Sequence, residues 1–176
     1  MRKPFGKGST VKATPADYRE MARLIARTVQ VVSAQHYKPD VIDNLVKLYD
    51  AKTLQSYVRD KYVLVFKQGG KILGTGALCG SEISMVYVDP KARGQGIGTI
   101  IMRELEHEAV ENGVDELHLD ASLGSLEFYD GLRYMRGEIG EHRKGLGETV
   151  HMYKSLKRSK RSTKKTRHGR VDRYGP

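Results

Sequence analysis

The sequence predicts an α/β protein of the α+β type, one folded domain followed by a basic extension. Three observations carry this. From Tyr62 to Val88, apolar stretches are separated by the turn residues Gly69-Gly70 and Gly80-Ser81, the pattern of three antiparallel strands. On either side of that block, apolar residues recur at helical spacing: Met21, Leu24, Ile25 and Val29 before it, and Ile97, Ile100, Ile101 and Leu105 after it. Charge is also lopsided. Residues 154–176 hold ten Lys/Arg against one acid, Asp172, so they carry +9 of the chain's net +10.

The elements follow in order. Met1–Gly8 is expected to be loose, with Ser9–Ala13 a short first strand. Thr14 is placed to cap the first helix, Pro15 suits its first position and Asp17 lies in its first turn, so the helix covers Ala16–Val32. Pro39 breaks the chain, and Val41, Ile42, Leu45 and Leu48 mark a second helix. Thr53–Arg59 reads as a short third one. After the three strands, a helix from Ile97 stops at Asn112-Gly113. Leu117–Ala121 alternates as a strand, Ser125–Asp130 is a short helix, and Tyr134–Gly137 and Thr149–Tyr153 are the last two strands.

Composition bounds the function. At 176 residues the chain is the size of one domain with one sizeable core. Cys79 is the single cysteine, so no internal disulfide forms and a reducing compartment is expected. No apolar run is long enough to span a membrane, and the cytoplasm is the expected location. Cys79 lies in an apolar strand and is expected to pack rather than attack. His107-Glu108 opens like a zinc motif, but Glu111 stands where the second His is needed, so no metal site is expected.

The main lead is Val86-Tyr87-Val88-Asp89-Pro90-Lys91-Ala92-Arg93-Gly94-Gln95-Gly96-Ile97-Gly98-Thr99. A strand ends at Asp-Pro, a basic glycine turn follows, and a helix begins. The first N–H groups of a helix have no carbonyl partner and sit at the positive end of its dipole, which favours phosphate there. Glycines let a phosphate approach those groups, and Arg93 adds a fork suited to its oxygens. The Walker pattern fails for want of a lysine before Thr99, and the dinucleotide fingerprint fails at Thr99 itself. Taken alone, the turn also reads as a plain strand-to-helix connection.

Arg93-x-x-Gly96-x-Gly98 after Val-x-Val-Asp-Pro resembles the acetyl-CoA site of the GCN5-related N-acetyltransferase (GNAT) family. A second stretch, Leu117–Ser122 followed by Leu126-Glu127-Phe128-Tyr129-Asp130-Gly131-Leu132-Arg133-Tyr134, is similar to the family's fifth strand and Phe-Tyr-x-x-x-Gly-Phe segment. The likeness covers roughly residues 9–153. It implies a mixed, mainly antiparallel central sheet flanked by helices, and direct transfer of acetyl from acetyl-CoA to a primary amine. It implies cofactor contacts from Val86, Tyr87, Val88, Arg93, Gly94, Gln95, Gly96, Ile97, Gly98 and Thr99, and a strand splayed from its neighbour near Val86–Val88. Two departures stand out. Gly124 replaces the Asn that many members carry, leaving Ser122 or Ser125 to supply its contact. Arg133 stands where Gly commonly precedes the aromatic, with Gly131 two places earlier.

Acyl transfer needs a proton taken from an ammonium, an oxyanion held, and a thiolate protonated. Tyr129 matches the family's acid position; as a phenol it holds its proton at pH 7. Its other reading is a packing aromatic beside Phe128. Glu82 is the best-placed carboxylate for the base, on a face with Ser84 and Val86. Asp120, Glu141 and His142 are rivals, His36-Tyr37 are expected at the amine pocket, and a water chain is a further alternative.

The domain therefore reads as residues 1–153, and the tail as 154–176. Leu156, Val171 and Tyr174 are its only sizeable apolar residues, too few for a core, so it is expected to be flexible. Its charge suits nucleic acid or another polyanion, and equally a solubilising role. Two readings of other classes stay open: a CoA-binding regulatory domain without catalysis, and a nucleic-acid- or ribosome-associated protein acting through the tail.

Overall fold

A computed structural model describes residues 8–141 and 143–157. The expectations for Met1–Lys7, for His142 and for residues 158–176 of the tail lie outside the described residues. Seven strands form one sheet in the order β1-β2-β3-β4-β5-β7-β6. They are β1 (Ser9–Lys12), β2 (Tyr62–Gln68), β3 (Lys71–Cys79), β4 (Glu82–Val88), β5 (Glu116–Ser122), β6 (Met135–Gly140) and β7 (Thr149–Ser155). Neighbours pair antiparallel except β4 and β5, which are parallel. The helices are α1 (Tyr18–Val31), α2 (Pro39–Leu48), α3 (Ala51–Tyr57), α4 (Ile97–Glu111) and α5 (Leu126–Gly131). None of the described helices is long and apolar enough to cross a membrane.

Strand alternation feeds two cores. Val63 and Val65 of β2 face α1, meeting Met21, Leu24, Ile25 and Val29; Leu64 and Phe66 face α4, meeting Ile97, Ile101, Met102 and Leu105. Helix α4 lies almost on the backbone of β3. A Cβ on Gly74 would stand 2.7 Å from Ile101 Cδ1, and one on Gly76 2.6 Å from Ile101 Cγ2. Glycine at both positions lets the helix settle at that depth, and this sets where its N-terminus stands over β4.

Some local expectations hold and others change. A 3-10 turn, Pro15–Asp17, precedes α1 with Thr14 as its N-cap, as expected, and the Asp17 carboxylate reaches back to accept the Thr14 N–H at 2.9 Å and hydroxyl at 3.0 Å, the reciprocal half of a capping box. Cys79 does not pack; it is exposed at the end of β3, its thiol 3.7 Å from the Asp60 carbonyl. The last strand runs on to Ser155. Lys154 reaches both Glu106 carboxylate oxygens at 2.8 Å, Lys157 pairs with Asp115 at 3.0 Å, and Leu156 packs against the α4 core. Two of the tail's basic residues are thus held by the domain.

Candidate functional site

The glycine turn fits an anion for reasons that differ between its glycines. Gly94 and Gly96 have φ of +76° and +80°, and a Cβ on either would meet nothing within 4 Å. Glycine is required there by the left-handed backbone, which L side chains avoid. Gly96 is the N-cap of α4, so the N–H groups of Ile97, Gly98 and Thr99 open the helix without carbonyl partners inside it. At Gly98 the constraint is packing: a Cβ would lie 3.0 Å from Phe128. Asp89, 7% exposed, braces the turn from below. Its carboxylate accepts the Lys91 N–H at 2.9 Å and pairs with Arg27 of α1 at 2.6 Å. Burial alone would raise its pKa, but the Lys91 N–H and Arg27 outweigh that and hold it below the ordinary carboxylate value.

Strand β4 is bent by a bulge. Ala77 pairs with Ser84 and Thr75 with Tyr87, so β4 spends one residue more than β3, and Met85 takes φ +56°. Facing reverses there. Ile83, Val86 and Val88 pack with the α4 core, whereas Met85 and Tyr87 pack with the α1 core. Val86 therefore leaves the face that alternation from Glu82 assigned to it. On its other edge β4 pairs with β5 at Glu82 and His118, and the two strands then part. The expected splay is present, and it opens toward the α4 N-terminus.

Helix α5 follows β5 and brings Tyr129 to the splay. The residue is 7% exposed, and burial, with a smaller contribution from Tyr87, pushes its phenol well above the ordinary tyrosine value. It stays protonated at any neutral pH. Phe128 meets its ring edge-on at 5.0 Å. The Arg133 departure leaves the turn intact: Arg133 adopts φ +66°, the conformation a glycine would supply. Gly124 is explained by a neighbour, since a Cβ there would stand 2.6 Å from the His36 ring. The Ser125 hydroxyl donates to the Ser122 carbonyl at 2.8 Å, so its proton is committed within the turn.

One cavity of about 450 Å³ joins these parts. Its wall includes the turn from Ala92 to Thr99 except Gln95, all of β4, Ser122 and Ser125, and Tyr129. Glu82 and Asp120 also line it, at the end away from the turn; Glu141 does not. Glu82 is not a free carboxylate, because Arg143 donates to it at 2.8 Å. Glu141 accepts the Gly145 N–H at 2.6 Å, and Asp120 lies 3.0 Å from His151 Nδ1. Tyr37 lines the cavity as expected, accepting from the Leu123 N–H at 3.2 Å and donating to the Glu148 carbonyl at 2.6 Å. His36 stands behind Gly124 rather than in the wall.

Sequence reasoning missed Arg143, Tyr49 and Leu146, all in the wall. Arg143 sits in an irregular stretch between β6 and β7, where no periodicity marks it. Buried hydroxyls at Ser84 and Thr149, also in the wall, have no partner among the described residues. The chemistry on offer is an anion cradle at one end, a protonated phenol at the splay, and an ionic pair at the other end.

A sequence profile described as an acetyltransferase (GNAT) domain matches residues 33–156. The chain is 22% identical over 116 residues to the uncharacterized N-acetyltransferase YafP of Escherichia coli (strain K12), covering 66% of this chain and 73% of that protein. Among solved structures, the GCN5-related N-acetyltransferase "Aminotransferase, Class-II" from Rhodopseudomonas palustris superposes with a TM-score of 0.80 at 21% identity, over 89% of this chain and 100% of that one. PaiA N-acetyltransferase from Thermoplasma acidophilum, solved in complex with coenzyme A, does so with a TM-score of 0.66 at 15% identity, over 85% and 99%.

Proposed function

The chain belongs to the GNAT acetyltransferase family and is an N-acetyltransferase, and we propose that it moves acetyl directly from acetyl-CoA to a primary amine inside the cavity described above. The observation that carries this reading is the meeting of the Gly94–Gly96 turn and Tyr129 in one cavity at the β4/β5 splay.

In this reading the pyrophosphate lies on the N–H groups at the start of α4, with Arg93 beside it. The pantetheine arm runs along the open edge of β4 near Val86–Val88, and a backbone N–H there faces the oxyanion. A neutral amine attacks the thioester carbonyl; the N–C bond forms and the C–S bond breaks. Tyr129, held protonated by burial, gives its proton to the departing thiolate. The proton lost by the attacking nitrogen passes to water, and the phenol recovers its own from solvent. Glu82, at the far end of the cavity, meets the incoming ammonium. As a base it must first exchange its Arg143 partner.

The test is thiol release from acetyl-CoA by the purified protein against a panel of primary amines, with N-acetylated product identified by mass. Release above the hydrolysis background supports transfer. Tight acetyl-CoA binding with no product from any amine leaves the regulatory reading instead.

A further inference from the structure

Arg143 enters the steps above only as the partner that Glu82 must exchange, yet it lines the cavity wall at the acceptor end. Its Nη2 donates to Glu82 Oε1 at 2.8 Å and its Nη1 to the Tyr57 hydroxyl at 2.8 Å. The stretch that follows it is pinned at two points. Asn44 Nδ2 donates to the Gly145 carbonyl at 2.9 Å, and the Tyr37 hydroxyl donates to that of Glu148 at 2.6 Å. The guanidinium is therefore held at the mouth, with its side chain 41% exposed beside Glu82 at 34%.

This arrangement discriminates among amines. A simple amine that takes Glu82 as its partner leaves two cations competing for one carboxylate. A diamine adds a further positive charge. An acceptor with a carboxylate on the carbon that bears the amine avoids both costs. Its ammonium takes Glu82, its carboxylate takes Arg143, and one ion pair becomes two across a similar span. The planar guanidinium fork matches a carboxylate better than a point charge would. Tyr37, Leu45, Tyr49 and Leu146 supply an apolar wall for the rest of such a molecule.

We propose that the acceptor is a free amino acid, recognised as a zwitterion between Glu82 and Arg143, with Arg143 as the residue that selects for the carboxylate. The proposal rests on the acetyl-transfer reading of this cavity.

The experiment uses the intact protein, saturating acetyl-CoA and matched acceptors: phenylalanine, phenylalaninamide and phenethylamine, with lysine and cadaverine as a second pair. Thiol release yields kcat and KM, and calorimetry on the CoA-loaded protein measures binding without turnover. The expected result is a preference of roughly tenfold or more for the amino acids, expressed in KM. Arg143→Gln is expected to erase that preference by raising the amino-acid KM while the KM for phenethylamine holds or falls, since that amine no longer competes with a guanidinium for Glu82. Arg143→Lys retains part of it. Equal use of phenethylamine or phenylalaninamide by the wild type overturns the proposal. So does an Arg143→Gln loss shared equally by every acceptor, which marks a merely structural role. Should Arg143→Gln fail to fold, the wild-type ratios and Arg143→Lys decide. If acetyl-CoA binds but nothing is acetylated, the transfer reading falls, while the calorimetric comparison of phenylalanine with phenethylamine still judges the zwitterion site. Binding of neither ligand overturns it.

Discussion

Tyr134 and Tyr129 close one turn between them: the Tyr134 N–H donates to the Tyr129 carbonyl at 3.0 Å, and their rings meet edge-on at 5.9 Å. With the Arg133 N–H on the Asp130 carbonyl at 2.9 Å, this is the helix ending known as a Schellman turn, complete with its apolar contact. It fixes the last turn of α5 and hence where Tyr129 stands. The equivalent ending of α4 uses Gly113 at φ +74°, whereas α5 uses Arg133 at φ +66°. An L side chain in that conformation costs about 1 kcal/mol. Arg133→Gly is therefore expected to raise stability by roughly 0.5–1 kcal/mol in urea denaturation, with the kinetics of acetyl transfer unchanged. A loss of stability would mean that the arginine side chain contributes more than its backbone strain costs.

Tyr129→Phe keeps the ring contacts with Phe128 and Tyr134 and removes only the proton. Turnover should fall roughly 10²-fold, with acetyl-CoA affinity little changed. Because burial holds the wild-type phenol far above neutral pH, it should contribute no titration to the rate between pH 6 and 9. Near-normal turnover in a chemistry-limited assay would leave Tyr129 as a packing residue.

At the cradle, the two kinds of glycine should respond differently. Gly96→Asp sets a charge and a strained backbone where the phosphates are proposed to lie, and calorimetry should find acetyl-CoA binding abolished. Gly98→Ala keeps a helical backbone and presses only on Phe128, 3.0 Å away. Its cost should be smaller, on the order of tenfold in affinity or less. Unchanged binding in Gly96→Asp would remove the phosphate assignment.

The Arg27–Asp89 pair gives stability a sign with pH. Asp89 and Asp17 both bind protons more weakly in the folded protein than the ordinary carboxylate value of 3.8. For Asp17 burial pulls upward, and Lys67 and Thr14 outweigh it. A lowered folded pKa means that their contribution is complete above the unfolded value and is lost as pH falls below about 4 through the folded one. Melting temperature should hold from neutral pH to about 5 and then drop. Asp89→Asn should shallow that drop as well as lower the plateau. An unaltered acid slope would assign it to other carboxylates.

The domain end can be located by truncation. A chain stopped after Lys157 should melt as the full chain does, because every described contact of β7 is kept. One stopped after Tyr153 loses the Lys154–Glu106 pair and the packing of Leu156, and should melt several degrees lower. Equal melting of the two would place the boundary at Tyr153 after all.

Much of the fold was legible because its signals are local. The apolar spacing of α1 and α4, the glycine turns of the β2–β4 meander and the Asp89-Pro90 stop each depend on neighbours a few residues apart. The positive φ at Gly94 and Gly96 belongs to the same class, since only a short list of residues tolerates it. The strand–turn–helix cradle was therefore readable before any fold was known. The bulge at Met85 was not, because a methionine carries no mark of a left-handed backbone, and one such residue reversed the facing of Val86. The Thr14 N-cap with Pro15 behind it was readable, because a cap depends on residues only three apart.

What the sequence by itself determined is thus the order of the elements, the basic tail and the glycine turn that opens α4. Tertiary structure alone decided that β7 lies between β5 and β6, and that β4 parts from β5 after Glu82. It also decided that Arg143 meets Glu82 and Tyr57, 61 and 86 residues away in the chain. The reason is physical: periodicity and turn chemistry act over a few residues, whereas strand order and the meeting of distant side chains arise only when separate apolar faces are buried against one another.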